Sequence, residues 1–389
     1  MDDPPVEDPL VEDRLVEDRL VDDRLSDASA LVTELVGDQA GQWDIGGELP
    51  GDLVHGLGAK GLLCAQVPPE FGGLGWTSMD NGQFTAHVGG LSSSLRSLMT
   101  SQGMAAWAVQ RFGKPEQRAA QLPALTAGSL AGIAFSEPGA GSDLAAMTTR
   151  IGADGDDVVV HGEKTWVTGA VYADLLVVFG RFSDGAGIVL VPASAPGVAI
   201  RRVPDPLGCR AAGHADVTLD GVRLPRENLL GGAGLPADWL VTPVLTYGRM
   251  SVAWGCVGIL RACLSACARH ARTREQFGRP LAEHQLVAGH LADLLVAESI
   301  AARCSEHASR CWDSGAPELG TAAVVAKHVA AGHAARGAAT AVQVLGSAGS
   351  QDGHVAARAY RDAKLMEIIE GTSEICRLLL SRHAVAVWS

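Results

Sequence analysis

The chain has 389 residues, 47% of them hydrophobic and 19% charged, with a net charge of −13 at pH 7. A chain of this length buries a large core and divides into two or three domains. The acidic balance lacks the clustered lysines and arginines that nucleic acid requires, and no apolar run approaches the roughly 18–20 residues of a membrane span. The N-terminus is acidic where a secretory signal is basic and then apolar, so a cytoplasmic enzyme with no nucleic-acid or membrane partner is expected. Eight scattered cysteines form no CxxC pair and no His/Cys ligand spacing, which points to buried thiols and no metal site.

Residues 1–25 repeat a five-residue unit, from VEDPL at 6–10 to VDDRL at 21–25, and hold ten acidic residues and three arginines. Five matches neither the helix nor the strand period, so a solvated acidic extension is expected. Residues 26–128 form an expected helical domain. Leu31, Leu35 and Val36 recur at helical spacing behind Ser26 or Asp27 as a cap, Pro50 suits a first turn, and Pro115 and Glu116 open a helix ending near Gly128. Over 129–238 the period changes to two. Short β-branched runs at 158–160, 175–179, 188–191 and 217–219 each end at a glycine or proline, which predicts a small β-barrel or sandwich domain. No G-x-G-x-x-G lies between a strand and a helix, so a Rossmann site is not supported. From 239 to 389 helices resume, apolar over most of 252–271 and with Leu286, Val287, His290, Leu291, Leu294 and Leu295 on one stripe. His290 there reads as a core histidine, and helices this apolar must cover one another in a four-helix bundle, with subunit contacts open. The fold class is therefore α+β and multidomain: helices, then sheet, then helices.

One carboxylate stands apart. In RDAKLMEIIEGTSEICR, residues 361–377, Glu370 sits at a break between two apolar helical segments. Gly371 frees the backbone there, and Thr372 or Ser373 can cap the next helix. A carboxyl flanked by Leu365, Ile368, Ile369 and Ile375 is desolvated, which raises its pKa towards that of a working general base.

This segment resembles the catalytic loop of the acyl-CoA dehydrogenase family, and five further motifs follow that family's order. AFSEPGAGSDLAA at 134–146 is similar to its first signature, PPEFGGLG at 68–75 to its PEEYGGxG loop, KTWVT at 164–168 to KxWIT, and RTREQFG at 272–278 with His284 and Gln285 to RxxFG. QVLGS at 343–347 is similar to QxxGG, although Ser347 replaces the second glycine. The resemblance implies FAD. It puts Ser136 and Trp166 against the flavin ring, Thr168 at N5, and Gly141 and Ser142 beside the phosphates or the thioester arm. It assigns Arg274, Gln276, Phe277, His284, Gln285, Gln343, Gly346 and Ser347 to the FAD of a neighbouring subunit, so a homodimer or homotetramer is implied. Thr372 and Glu374 would also touch the cofactor, Arg249 and Gly371 the substrate, and Glu370 would remove the α-proton of an acyl thioester as the β-hydrogen leaves to flavin.

Some family branches place the base just before an arginine in the first bundle helix; here that position is Gly248, so Glu370 stands alone. Thr246 also replaces the acidic residue of fatty-acyl members. CRAAGHAD at 209–216, SVAWGCVGILRAC at 251–263 and LVAGH at 286–290 resemble dehydrogenases that supply methoxymalonyl extender units to polyketide pathways. These oxidise a glyceryl-derived three-carbon group on an acyl carrier protein towards hydroxymalonyl, and need an electron acceptor that the sequence does not identify. The alternatives are an acyl-CoA dehydrogenase of fatty-acid or amino-acid breakdown, a flavin monooxygenase on the same fold, and a non-catalytic carrier-binding protein.

Overall fold

The computed structural model describes residues 9–388, and the side chains of 23–388 except that of Ala233. Six helices come first: α1 (Pro9–Val36), α2 (Ala40–Gly46), α3 (Gly51–Gly58), α4 (Ser78–Leu91), α5 (Ser93–Phe112) and α6 (Pro115–Thr126). Residues 9–25 belong to the same helix as 26–36, so neither Ser26 nor Asp27 caps it as expected. Leucine, glutamate and arginine are strong helix formers, and that propensity, summed over a long window, outweighs the missing 3.6-residue apolar period. The first eight residues of the repeat lie outside the described residues. Other local signals act as their chemistry requires. Thr77 and Asp80 form a capping box on α4, Pro115 opens α6, and Pro50 stands just before α3.

Helix α5 is the seam of the molecule. Every residue from Ser93 to Ala106 is buried, and its polar side chains find protein partners in place of water. Gln102 accepts from Ala131 N at 2.7 Å, Ser101 donates to Thr168 O at 3.0 Å, and the hydroxyls of Thr100 and Ser251 lie 2.7 Å apart. These bonds tie the helical layer to the sheet on one side and to the C-terminal helices on the other.

The sheet contains β1 (Ala131–Ala134), β2 (Arg150–Asp154), β3 (Asp157–Val167), β4 (Leu175–Phe182), β5 (Gly185–Pro192), β6 (Val198–Arg202), β7 (Ala215–Pro225) and β8 (Leu229–Leu235). Its order is β6-β7-β3-β2-β4-β5-β8, with β1 and β2 both parallel to β4 along one edge. The four apolar runs singled out in the sequence fall in β3, β4, β5 and β7. A bulge between Lys164 and Val167 re-aims the end of β3 and leaves Trp166 at φ 56°.

The remainder is a bundle of α7 (Ala237–Thr273), α8 (Gln285–Asp313) and α9 (Leu319–Leu345), closed by α10 (Val355–Met366) and α11 (Ser373–Trp388). Helices α7 and α8 are, by length and composition alone, apolar enough to cross a membrane, although Arg249 and Arg261 interrupt the first and Asp293 and Glu298 the second. The apolar window of α7 is 78% buried within the protein, and that of α8 only 22%. The stripe expected on α8 is split accordingly: Leu294 is buried, Leu286 and Leu295 are 86% and 54% exposed, and His290 is half-buried, so it is not a core histidine. All eight cysteines are free thiols.

Candidate active site

Between α10 and α11 the chain makes a turn that three neighbouring side chains hold in place. Lys327, buried on α9, donates from Nζ to Gly371 O at 2.6 Å and to Glu367 O at 3.4 Å. Arg249 on α7 donates from Nε to Glu370 O at 3.2 Å, and Thr372 caps α11 by accepting from Ile375 N at 3.3 Å. Within this frame Glu370 adopts φ 55° and Gly371 φ 95°. A non-glycine residue resists the left-handed region, so the surrounding hydrogen bonds must hold Glu370 there.

The carboxylate so presented lacks a partner: Glu370 Oε2 makes no hydrogen bond. Burial pushes its pKa up to about 7, against the opposing pull of Arg249, Lys327 and Arg96. Gly248 explains the fit. A Cβ at that position would overlap Glu370 Oε2 and come within 2.8 Å of Met104 Sδ. The glycine that removes one place for a carboxylate thus creates room for the other.

Glu370 opens into a cavity of about 510 Å³ between the sheet and the bundle. Ser136, Gly141, Ser142, Trp166 and Thr168 line it from the sheet side, and Arg249, Gly371 and Thr372 from the helical side. Trp166 is 49% exposed, an aromatic ring with one open side. Gly141 has open space where a Cβ would stand. An open indole beside hydroxyls and a loop with free amide edges suits a planar ring with an attached phosphate arm.

A second acid, Glu137, also reaches the cavity wall, in a different state. It accepts from Lys164 Nζ at 2.8 Å, Thr148 N at 2.6 Å and Thr149 N at 2.9 Å. Burial pushes its pKa upward, but the hydrogen bonds from Lys164, Thr149 and Thr148 outweigh that and pull it down to about 2. Two carboxyls with pKa values driven apart have divided roles. Glu137 is a fixed anion that anchors the Ser136 loop to β3, and Glu370 is the one free to exchange a proton near neutrality.

The other predicted residues lie outside this cavity. Arg274, Gln276 and Phe277 sit on or beside the hairpin of β9 (Glu275–Gln276) and β10 (Arg279–Pro280), with His284 and Gln285 at the start of α8. Phe277 is 96% exposed. Gln343, Gly346 and Ser347 mark the end of α9, and Glu374 is exposed on the first turn of α11. None of them lines the cavity of its own chain. Conversely, the sequence reading singled out neither Arg96 nor Lys327, and it held Glu137, Lys164 and His214 only as members of the motifs at 134–146, 164–168 and 209–216, without pairing Glu137 with Lys164. No periodicity marks these residues, because their partners lie far away in the chain: Met366 for Arg96, Gly371 for Lys327 and Glu137 for Lys164.

Models of the N-terminal, middle and C-terminal domains of acyl-CoA dehydrogenase match residues 24–129, 132–222 and 238–385. The chain belongs to the acyl-CoA dehydrogenase family. It is 35% identical to the probable acyl-CoA dehydrogenase YngJ of Bacillus subtilis (strain 168), over 87% of this chain and 90% of that one. The human mitochondrial short-chain specific acyl-CoA dehydrogenase is 33% identical, over 86% and 82%. Among solved structures, FkbI, described as acting in biosynthesis of the methoxymalonyl extender unit of the FK520 polyketide, superposes with a TM-score of 0.89 at 62% identity, covering 92% of this chain and 99% of that one. A glutaryl-CoA dehydrogenase from Mycobacterium smegmatis in complex with FADH2 gives a TM-score of 0.87 at 27% identity, with 96% of each chain covered. This acyl-CoA dehydrogenase family member is therefore a flavin-dependent oxidoreductase of acyl thioesters with FAD as its cofactor.

Proposed function

We propose that this enzyme oxidises a glyceryl-derived three-carbon acyl group, held as a thioester on an acyl carrier protein, towards a hydroxymalonyl or methoxymalonyl extender unit. The observation that carries the proton-removing step is the unpartnered Glu370 Oε2, facing the cavity with a pKa near 7. The substrate class is supported by the 62% identity to FkbI over nearly all of both chains. FAD, when bound, supplies the hydride acceptor. Ser136, Trp166 and Thr168 would hold its ring, and Gly141 and Ser142 its phosphate arm. Arg249 fixes the main chain of Glu370, and the Glu370 amide would donate to the thioester carbonyl as negative charge builds there. Glu370 takes the α-proton, and the partly buried Leu365, Ile369 and Ile375 around it limit the access of competing water.

The residues outside the cavity belong to this reading through a second subunit. Arg274, Gln276, Phe277, His284, Gln285, Gln343, Gly346 and Ser347 would complete the cofactor site of a neighbouring copy in a homodimer or homotetramer. A guanidinium such as that of Arg274 suits a diphosphate because it donates two parallel hydrogen bonds. The deciding experiment is anaerobic mixing of the FAD-loaded enzyme with glyceryl-carrier protein, followed by mass measurement of the tethered product. Loss of two hydrogens from the carrier-bound group with bleaching of the flavin supports the reading. Turnover of free acyl-CoA with no change in the carrier-bound group overturns it.

A further inference from the structure

An acyl pocket built for alkyl chains has apolar walls. This cavity instead contains a buried cation and a buried imidazole, neither of which the fold fully satisfies. Arg96 is 1% exposed. Its Nη1 donates to Thr100 Oγ1 at 3.1 Å, its Nη2 meets only the thioether of Met366 at 3.0 Å, and Nε has no partner. It has no ion-pair partner among the described residues. Its stem is held tightly, since a Cβ on Gly255 of α7 would come within 2.8 Å of Nε. A guanidinium that keeps its charge while buried, with one oxygen partner for five N–H groups, has donors to spare.

His214, at the foot of β7, lines the same cavity. Its Nδ1 lies 3.2 Å from Thr168 Oγ1, its ring 5.7 Å from that of Trp166, and its buried Nε2 has no partner. The position is built with care. Gly213 takes φ 63°, where a Cβ would overlap the Tyr172 ring, and Val203 N donates to His214 O at 2.9 Å. Burial, and then the charge of Arg96, push the His214 pKa down to about 4, so the ring is neutral in the working range. A neutral ring with Nδ1 engaged by Thr168 has one nitrogen left to donate to, or accept from, a hydroxyl.

We propose that Arg96 and His214 form an oxygen-recognition site for the acyl group, so that the enzyme selects short acyl thioesters with hydroxyl or oxo oxygens on the second and third carbons over their alkyl analogues. This rests on the reading of the cavity as an acyl-thioester site, and it does not depend on whether the thioester is borne by a carrier protein. A site that hydrogen-bonds a substrate hydroxyl rejects the deoxy analogue strongly, because the buried groups are then left unpaired. The apolar residues around Glu370 grip either analogue alike, so the choice falls to the two side chains with buried, unpartnered nitrogens, Arg96 Nε and His214 Nε2.

The test measures equilibrium binding of glyceryl-, lactyl-, 3-hydroxypropionyl- and propionyl-pantetheine to the FAD-loaded Glu370→Gln enzyme, in which proton removal is blocked, by the change in the flavin spectrum. The glyceryl probe is expected to bind about 100-fold more tightly than the propionyl probe. Arg96→Met and His214→Leu should each reduce that ratio at least tenfold, mostly by weakening the glyceryl probe, while lactyl and 3-hydroxypropionyl report which oxygen each residue meets. If Arg96→Met does not retain FAD, Arg96→Lys and His214→Leu still decide the matter, since a purely structural role would weaken all four probes equally. A ratio near one in the starting enzyme, or a ratio unchanged in the variants, overturns the proposal. Oxygen selectivity without turnover of glyceryl-carrier protein would instead leave this site standing and defeat the carrier-protein reading.

Discussion

At the level of single residues, the chemistry turns on one carboxyl whose environment opposes its ionisation. Glu370→Gln keeps the shape of the side chain and removes its basicity, so substrate-dependent flavin bleaching should fall by about 10²–10⁴-fold while FAD content is retained. Stopped-flow absorbance checks this, and normal bleaching would remove the assignment. Only the ionised form accepts a proton, so in the parent enzyme the bleaching rate should rise with pH and level off above about 7. Stability moves the other way. The folded pKa is raised from 4.5 to about 7, so the native state holds this proton more tightly than the unfolded chain. The stabilisation is complete below pH 4.5 and is lost as pH rises through 7. Glu370→Gln should therefore gain on the parent in thermal stability between pH 5 and 8, by at most about 3 kcal/mol, a ceiling lowered by the opening of the side chain to the cavity. Equal melting curves at both ends of that range would contradict it. Gly248→Ala tests the same residue from outside: its Cβ overlaps Glu370 Oε2, and a base displaced by even 1 Å should lose about 100-fold in bleaching rate. A variant that bleaches at the parent rate would show that the carboxylate has slack.

Among the elements, the loop carrying Ser136 and the strand carrying Trp166 are joined by a pair sealed from water, Glu137 and Lys164, with side chains 2% and 0% exposed. Lys164 Nζ also donates to Phe135 O at 3.0 Å, and Ser136 O accepts from Thr165 N at 2.9 Å. Removing one partner strands a buried charge, so Lys164→Met should cost about 3–5 kcal/mol and release FAD. Lys164→Met with Glu137→Gln, which leaves no lone charge, should recover much of that stability; a double variant no better than the single would locate the damage in packing. The same elements show what the sequence makes legible. The apolar runs of β3, β4, β5 and β7 and the glycine after Glu370 announce themselves, because alternation and glycine are local signals. The bulge that turns Trp166, the burial of Lys327 and Arg96, and the helical course of 9–25 do not. The first three depend on partners tens to hundreds of residues away, and the last on propensity acting without an apolar period. The motif resemblance supplied the cavity residues, since Ser136, Trp166, Thr168, Arg249 and Glu370 do converge, but it did not supply Arg96.

For the whole molecule, the open question is what covers α8. Leu286, Val296 and Ile300, which fall on one side of that helix, are 86%, 55% and 41% exposed, and Leu295 is 54% exposed; apolar side chains exposed together in this way mark an interaction site. The hairpin with Arg274 and Phe277 precedes the same helix, and Gln343 and Gly346 end its neighbour α9, all of them remote from the cavity lining of their own chain. A second copy docked over α8 would cover the apolar face and carry these polar groups towards the other copy's FAD. Val296→Lys with Ile300→Glu places charge in that face without touching any residue of the cavity. Sedimentation velocity should then show loss of self-association, and FAD should bind at least tenfold more weakly as the hairpin's contribution disappears. Monomers that hold FAD as tightly as the parent would mean that each chain completes its own cofactor site. An undisturbed oligomer would mean that its interface lies elsewhere on the bundle.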